Sequence, residues 1–349
     1  MANQFEIVGK IKLSKETEKF KPIEVKTSPK GWVGTRLKFS AINETGFHNI
    51  ECFEGYMNNN STICYVLGKD KDENGRFVKM QVKWMDRNKP EIIEKVASFS
   101  KYKIELADET FEYLAGIDFV NKLIEILQNP SYENKRFLIE GDVEFTEWNG
   151  NVYKKLVPKT VCEVTDQQEK DRTLIKYDFY YGEGAVDDTT YSEDGKYIVN
   201  GWIRQYDSSI KKEIGFKEQL VIDTSVATDE KTKRAFEIIK NRMVIDEGIN
   251  KIGLKCVQVN GTQKRSVTMD DLTEEEKELI EVGLATFEDF EKEYSNLNGP
   301  SVKETKIVGF LRGYNKGAQK TDYTVEDFMS QDVTEEMMDF EEEDDDLPF

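Results

Sequence analysis

Short runs of alternating apolar and polar residues, separated by tight-turn dipeptides, dominate the chain. Successive side chains of a strand point to opposite faces, so this alternation predicts half-buried β-strands. In the first half it predicts strands at 5–13, 32–42, 50–56, 77–84 and 137–145 and an amphipathic helix at 117–128 that ends before Pro130. Four dipeptides suit hairpin turns whose central residues need positive φ: Asn74-Gly75, Asn149-Gly150, Asp194-Gly195 and Asn260-Gly261.

The second half repeats this order of elements. Strands are predicted at 174–181, 197–206, 214–223, 252–259 and 303–314, with a helix at 231–243 and an acidic helix at 272–294. Three strands, a helix and a hairpin are the order of an OB-fold, a small Greek-key barrel. The prediction is a mainly β fold with two OB-like barrels in tandem, although two unrelated small barrels or sandwiches fit the periodicity equally well.

Three segments follow from this order. Residues 1–165 form an OB-like domain with an inserted hairpin and helix, and residues 170–318 form a second OB-like domain with the acidic helix. Beyond residue 319 the chain is polar and acidic and has no plausible core, which predicts a disordered tail over 319–349.

Composition supports a globular body. Hydrophobic residues make up 38% of the 349 residues and charged residues 34%, which suffices for packed cores. No apolar run approaches the roughly 18 residues of a membrane helix, and the N-terminus lacks the pattern of a secretory signal. The four cysteines are scattered along the chain, so we do not expect a disulfide framework. A reducing compartment fits this pattern better, and we therefore expect a cytoplasmic location.

The distribution of charge matters more than its total. A net charge of −19 argues by itself against binding of nucleic acid. Residues 324–349, however, hold twelve Asp or Glu and no Lys or Arg, so the remainder carries only −7. Residues 1–40 hold nine basic and four acidic residues. The N-terminal part can therefore present a basic face, and local potential is what steers a ligand.

The last six residues have the features of a docking peptide. Asp344, Asp345 and Asp346 lead into Leu347, Pro348 and Phe349. Pro348 restricts the backbone to an extended shape, which lowers the entropy lost on binding. Phe349 is expected to carry a free carboxylate beside its ring, and pockets that capture such a terminus are a recurring mode of recognition. An acidic run alone more often serves only to keep a protein soluble.

These six residues resemble the C-terminal tip of bacterial single-stranded DNA-binding proteins, which ends in three Asp, Ile, Pro and Phe. Leu347 stands in the place of Ile. In that family the tip docks on helicases, primase, polymerase subunits, nucleases and recombination mediators, so the resemblance implies partners of these kinds. Bacterial members have one short OB domain and a long linker. A large body with an acidic, Phe-terminated tail is more similar to the single-stranded DNA-binding proteins of bacteriophages.

Binding of single strands without sequence preference needs aromatic platforms interleaved with cations. Trp32, Arg36 and Lys38 share strand parity, as do Trp202, Arg204 and Tyr206, so each trio is expected on one face. A Trp or Tyr on a strand is nonetheless more often a core residue than a stacking platform. The candidate DNA-binding residues are Trp32, Arg36, Lys38, Phe53, Tyr56, Trp84, Trp148, Tyr153, Lys154, Trp202, Arg204, Tyr206, Lys211 and Lys212.

Signals for catalysis are weak. The single histidine, His48, excludes a site with several histidines, and the cysteines lack the paired spacing of a zinc site. The stretch from Asp70 to Gly75 resembles the start of a calcium loop, but Gln81 stands where the bidentate Glu belongs, so a β-turn is favoured. No cofactor, no metal site and no enzymatic activity are predicted, although dispersed carboxylates that hold Mg²⁺ need no local motif.

The function predicted from the sequence is the coating and protection of single-stranded DNA in replication, recombination and repair, with recruitment of partners through the tip. One alternative is an accessory protein that docks by the tip and binds little DNA, and another is a metal-dependent nuclease. The acidic tail is further expected to compete with DNA for the basic face, because a short tether keeps its concentration there high.

Overall fold

The computed structural model describes residues 3–18, 20–148, 150–166, 168–207, 211–262, 269, 272–287, 290, 301–314 and 316–328. Strands dominate this part of the chain, which confirms the prediction of a mainly β fold. The strands are β1 (Gln4–Leu13), β2 (Ile23–Thr27), β3 (Trp32–Asn43), β4 (Gly46–Met57), β5 (Ile63–Lys71), β6 (Phe77–Lys83), β7 (Tyr102–Glu105), β8 (Thr110–Tyr113), β9 (Arg136–Trp148), β10 (Asn151–Glu163), β11 (Arg172–Tyr181), β12 (Val186–Asp187), β13 (Lys196–Asp207), β14 (Lys212–Asp223), β15 (Asn250–Thr262), β16 (Ser301–Phe310) and β17 (Gln319–Lys320). The helices are α1 (Pro90–Ile93), α2 (Gly116–Gln128), α3 (Tyr191–Asp194), α4 (Glu230–Arg242) and α5 (Glu274–Glu281).

Five strands of the first half close into a ring of pairings, here called the first strand cycle. β1 pairs with β3, β3 with β4, β4 with β10, β10 with β9, and β9 returns to β1. All of these pairings are antiparallel except that of β4 with β10. In chain order the five strands of the cycle are β1, β3, β4, β9 and β10. Helix α2 lies between the third and the fourth of them, β4 and β9. Its apolar residues Phe119, Val120, Leu123 and Ile126 pack into the core.

The second strand cycle has the same order. β11 pairs with β13, β13 with β14, β14 with β16, β16 with β15, and β15 returns to β11. The pairing of β14 with β16 is the parallel one. Helix α4 again lies between the third and fourth strands. Asp229 caps its N-terminus by accepting a hydrogen bond from the Thr232 amide at 2.9 Å.

The two cycles share one mixed sheet. The first half of β1 pairs with β11, from Gln4 opposite Lys176 to Val8 opposite Arg172, and the second half pairs with β3. Gly9 lies where β1 changes partner, and a Cβ atom there would meet the carbonyl oxygen of Ile42 at 2.5 Å. The close approach of the two strands therefore requires glycine.

Two of the four predicted hairpin turns are corrected. Asp194-Gly195 ends helix α3, where Gly195 adopts a φ of 66° as a left-handed C-terminal cap. Asn260-Gly261 lies inside β15, because the ladder with β16 continues to Thr262. There Asn260 pairs with Gly46 of β4 and helps to join the cycles. Gly75 and Gly150 have positive φ, as their predicted turns require.

Two predicted boundaries are also wrong. The acidic helix was expected over 272–294, but α5 ends at Glu281, two residues before Gly283 with a φ of 76°. The predicted disordered tail from residue 319 is contradicted for its first part. β17 pairs with β15, and Phe328 is only 2% exposed. Phe328 is buried because its ring packs against an apolar surface that includes Tyr180, Ile249 and Trp202. Residues 329–349, including the tip, lie outside the described residues.

An inserted unit between β4 and α2 was predicted only in part. Strand 77–84 exists as β6, but it pairs with β5 in a separate two-stranded sheet. This sheet and α1 bury a satellite core that includes Val66, Val82, Trp84 and Val96. Among the described residues, no helix combines the length and the apolar character needed to span a membrane.

Candidate nucleic-acid interface

The outer face of β3 carries the first predicted trio. Buried and half-buried residues alternate from Thr35 to Ile42, and Leu37, Phe39 and Ala41 are buried in the core. Trp32, Arg36 and Lys38 therefore lie on the opposite, outer face, as strand parity predicts. The register of β4 adds Phe53 to this face, directly opposite Arg36.

The indole of Trp32 lies flat against the sheet. A Cβ atom on Gly34 would meet its ring at 1.9 Å, and one on Gly55 would meet it at 2.3 Å. The two glycines are opposite each other in the ladder, so together they form a bare patch under the ring. Phe53 contacts the indole edge to face, with ring centroids 5.4 Å apart. The other face of the indole points away from the sheet, which is the geometry of a stacking platform.

The cations of this face are balanced by two glutamates. The Arg36 guanidinium lies 4.8 Å from the Phe53 ring centroid and 3.4 Å from carboxylate oxygens of both Glu24 and Glu51. Lys38 lies 3.6 Å from Glu51. Long, partly exposed ion pairs contribute typically about 0–1 kcal/mol. A phosphate group can therefore compete with these carboxylates for the two cations.

Two adjoining grooves run across this surface and share Phe20 and Lys38. The first is lined on the β2 side by Lys21, Glu24 and Arg36. The second continues over β4 to the β9–β10 hairpin and is lined there by Asn49, Glu51, Lys154 and Lys155. The Lys38 ammonium lies 5.5 Å from the centroid of the Phe20 ring. The grooves bring together cations that are far apart in the sequence.

Lys154 lies at the far end of the second groove, where the two cycles meet. Its ammonium donates to a carboxylate oxygen of Glu218 on β14 at 2.8 Å and to the hydroxyl of Thr305 on β16 at 3.1 Å. Both partners belong to the second cycle. Lys154 therefore contributes to the contact between the cycles as well as to the groove. Lys155 lines the same groove beside it.

The candidates Trp84 and Tyr56 are corrected. Their rings stack with centroids 4.9 Å apart, and Trp84 is only 5% exposed. Arg87 covers the indole at 3.7 Å and is held by Asp118 at 2.7 Å. The inserted unit folds back against β4 and buries Trp84 in its satellite core, with the half-buried Tyr56 packed against it. Trp84 therefore cannot stack on a base without unfolding this unit, and one face of Tyr56 is taken by Trp84.

The remaining candidates of the hairpins are dispersed. Tyr153 is 49% exposed on β10, on the face opposite to Lys154 by strand parity. Tyr206 is 59% exposed near the end of β13, and Lys211 and Lys212 are exposed at the start of β14. The side chain of Trp148 lies outside the described residues. Tyr153, Tyr206, Lys211 and Lys212 do not line either groove.

Two members of the second predicted trio, Trp202 and Arg204, are covered. Trp202 and Arg204 occupy the outer face of β13, and the ring of Phe328 lies 5.1 Å from that of Trp202. The Arg204 guanidinium lies 3.9 Å from the centroid of Tyr323 and forms an ion pair with Glu213 at 3.1 Å. A segment of the same chain therefore occupies the face that was expected to be open.

Four groove or cover residues were not predicted: Phe20, Lys21, Tyr323 and Phe328. Phe20 and Lys21 lie outside regular strands, so periodicity carried no signal for them. Tyr323 and Phe328 stand in the segment interpreted as a disordered tail. The sequence did carry one signal in that segment, namely aromatic residues among acidic ones. Segments that stay solvated are poor in large apolar rings, so these aromatics indicate burial.

Two residues considered for catalysis or metal binding have structural roles. His48 is fully buried and its Nε2 atom lies 2.8 Å from the Thr45 hydroxyl and 3.0 Å from the Thr173 hydroxyl. Asp72 accepts hydrogen bonds from the amides of Asn74 and Arg76, as a tight turn requires. Within the described ranges, no group of three or more His, Cys, Asp or Glu side chains is arranged to hold a metal ion.

No protein-family profile matches the chain, and no curated protein matches it in sequence. A solved structure with some similarity is the wild-type single-stranded DNA-binding protein from Thermus aquaticus, at 8% sequence identity and a TM-score of 0.28. The similarity covers 73% of this chain and 85% of that chain. Similarity at this level supports no inference about fold or function.

Proposed function

We propose that the protein binds and coats single-stranded DNA through the outer face of β3 and β4, protects it without acting on it chemically, and serves replication, recombination or repair. The observation that carries the proposal is the Trp32 platform with Phe53 and Arg36 beside it, on the same face of the sheet as a groove lined by Arg36 and Lys38. Flat rings next to cations are what a binder of single strands needs, because every base has a π-face and every linkage a phosphate.

The order of strand pairings supports the same function. In this proposal each strand cycle is an OB-type barrel, the first within residues 1–165 and the second within 170–318. OB-folds bind oligonucleotides on the face of their second and third strands and on the loops beside it. In the first cycle these strands are β3 and β4. The adjoining segments supply Phe20 and Lys21 before β3 and Lys155 after the β9–β10 turn.

Recruitment of partners is the second part of the proposal. The acidic residues beyond Phe328 end in Asp344 to Phe349, and only the sequence supports their role. Their aromatic end would fill an apolar slot in a helicase, primase, polymerase, nuclease or recombination mediator, and the acids would align it on a basic ridge. The resemblance of this tip and the large body favour a bacteriophage protein that acts in the cytoplasm of its host.

The test is a binding titration of fluorescent oligo-dT against the full chain, with a duplex of equal length as competitor. We expect Trp32→Ala to weaken binding by about 1–3 kcal/mol, the range for loss of one stacked base. Lys38→Gln should reduce the slope of log K against log salt by roughly 0.7 if one phosphate contact is lost. Glu51→Gln should strengthen binding, because it removes a carboxylate that competes with phosphate for Arg36 and Lys38.

Two controls make this test specific. Tyr65→Ala removes an aromatic ring that is 73% exposed on the inserted unit and should leave affinity unchanged. Gly34→Ala keeps the indole but lifts it off the sheet, since the three atoms nearest to the new methyl group all belong to Trp32. Equal affinities of the parent and Trp32→Ala, with both proteins folded, would refute the stacking site. Shortening of the oligonucleotide in Mg²⁺ would show a nuclease instead.

A further inference from the structure

The two cycles carry related outer faces that differ in the residue opposite the arginine. β13 and β14 are the second and third strands of the second cycle, as β3 and β4 are of the first. Each outer face has a tryptophan and an arginine on its first strand. Arg36 lies opposite Phe53 in the ladder, whereas Arg204 lies opposite Gly215. The second face therefore has a gap the width of an aromatic ring where the first face has Phe53.

The ring of Phe328 fills this gap. A Cβ atom on Gly215 would meet Phe328 at its Cα atom at 2.8 Å and at its Cβ and Cδ1 atoms at 2.9 Å. Phe328 is 2% exposed and lies between Trp202, Tyr180 and Tyr323. The site is thus a slot for one flat ring, with an indole on one side and a guanidinium at its rim.

Arg204 is poised for a ligand that is not a phenyl ring. In the described part of the chain, its Nε and Nη1 atoms are buried and have no hydrogen-bond partner. Burying such donors without a partner is costly, and a phenyl group offers them no acceptor. A nucleobase or a phosphate carries oxygen and nitrogen acceptors, so it can satisfy donors that Phe328 leaves unsatisfied.

The covering segment is held at its two ends. Gln319 and Lys320 pair with β15, and Thr321 donates a hydrogen bond to the carbonyl oxygen of Ile249 at 2.8 Å. At the other end Phe328 is buried, whereas Val325, Glu326 and Asp327 are exposed. The cover over the slot therefore depends mainly on two rings, those of Phe328 and Tyr323. Burial of one ring and stacking of one base are of comparable free energy, so exchange between them is feasible.

We propose that the slot above Gly215 is a second site for a nucleobase of single-stranded DNA, occupied by Phe328 until a strand displaces it. This inference rests on the proposed function of the first face. The groove of that face ends at Lys154, which contacts Glu218 on β14. A separate cavity on the second cycle is lined by Lys217, Glu218 and Trp202. A strand bound at the first face reaches the second at high effective concentration, and a short strand does not.

Three substitutions test the site in the full chain. Gly215→Ala places a methyl group in the slot itself and should exclude Phe328 and a nucleobase alike, because the three nearest atoms to it all belong to Phe328 and one of them is the backbone Cα atom. Phe328→Ala removes the ring itself. Gly309→Ala is the matched control, since a Cβ atom at this strand position meets nothing within 4 Å. Affinity is measured for oligo-dT over a series of lengths, together with the number of nucleotides covered per protein.

We expect Phe328→Ala to bind long oligo-dT on the order of tenfold more tightly, the effect of one additional stacked base. Adding Gly215→Ala to it should remove this gain, because the methyl group occupies the slot. Neither variant should change the affinity for oligonucleotides too short to leave the first face, and Gly309→Ala should match the parent throughout. Adding Arg204→Ala should abolish the gain, whereas Arg204→Ala in the parent should have little effect. In the parent, long oligo-dT should also speed hydrogen exchange of the amides of 325–328.

Three results would overturn the second site. Phe328→Ala could remain folded and bind every length as the parent does. The gain could persist with Arg204→Ala or with Gly215→Ala. Phe328→Ala could unfold the second cycle, which would make Phe328 a permanent core residue. Failure here is distinct from failure of the proposed function, because the parent would then still bind oligo-dT in a manner that depends on Trp32.

Discussion

Acidification is expected to weaken the junction between the two strand cycles through His48. This residue is fully buried at the junction. Its Nε2 atom contacts Thr45, which lies in the turn between β3 and β4, and Thr173 on β11. Its Nδ1 atom has no hydrogen-bond partner among the described residues. A proton added to this ring would place a positive charge between the two cycles. Among the described residues, no carboxylate accepts a hydrogen bond from the ring.

The magnitude follows from the pKa of His48. Burial lowers it from the usual 6.5 to about 4. Between these values the unfolded chain binds the proton and the folded chain does not, so stability falls as the pH falls. One pKa unit corresponds to about 1.4 kcal/mol, so the free energy of unfolding should fall by about 2 kcal/mol at pH 5 and by about 3 kcal/mol at pH 4.

Urea unfolding of the parent and of His48→Gln at pH 7 and pH 5 measures this effect. Carboxyl groups titrate in both proteins, so the difference between the two pH-dependent losses isolates the imidazole. His48 is the only histidine in the chain, so its ring protons also give its pKa directly by NMR. An imidazole that titrates near 6.5 in the folded protein would refute the reasoning, as would equal losses in the two proteins.

Three further predictions concern the satellite core and the acidic residues. Trp84→Ala should lower the free energy of unfolding by about 3–5 kcal/mol, the usual cost of deleting a buried aromatic ring, in urea titrations that monitor the inserted unit; oligo-dT affinity that fell while the fold persisted would return Trp84 to the interface. Removal of residues 329–349, which spares Phe328, should raise oligo-dT affinity most at low salt, because ten acidic side chains are lost and salt screens their effect. Identical affinities at low salt would leave these residues as a docking arm only. Deletion of Phe349 should abolish capture of a partner in a pull-down and leave oligo-dT affinity intact, and equal capture would exclude Phe349 as the anchor.

Features that depend on neighbouring residues could be predicted from the sequence. Trp32, Arg36 and Lys38 share a face in any strand, because side chains alternate whatever the strand packs against. The turns at Gly75 and Gly150 and the two long helices follow from backbone preferences and amphipathic spacing, which are local as well. The order of the long strands and of the two long helices could be deduced in the same way.

Features that depend on residues far away in the sequence could not be predicted from it. Trp84 and Trp32 both stand on strand-like segments of the sequence. Trp84 is nonetheless buried by the inserted unit, whereas Trp32 lies on bare glycines. Asn260-Gly261 has the sequence of a turn, but its ladder with β16 and its contact with Gly46 hold it extended.

Phe328 shows the same limit most clearly. Its neighbours in the sequence are acidic and predict a solvated tail, whereas its neighbours in space are Trp202, Tyr180 and the open surface of Gly215. Burial is a property of the surface that covers a side chain, and that surface comes from residues more than a hundred positions away. Only the tertiary structure could therefore decide which of two related faces is open and which is covered.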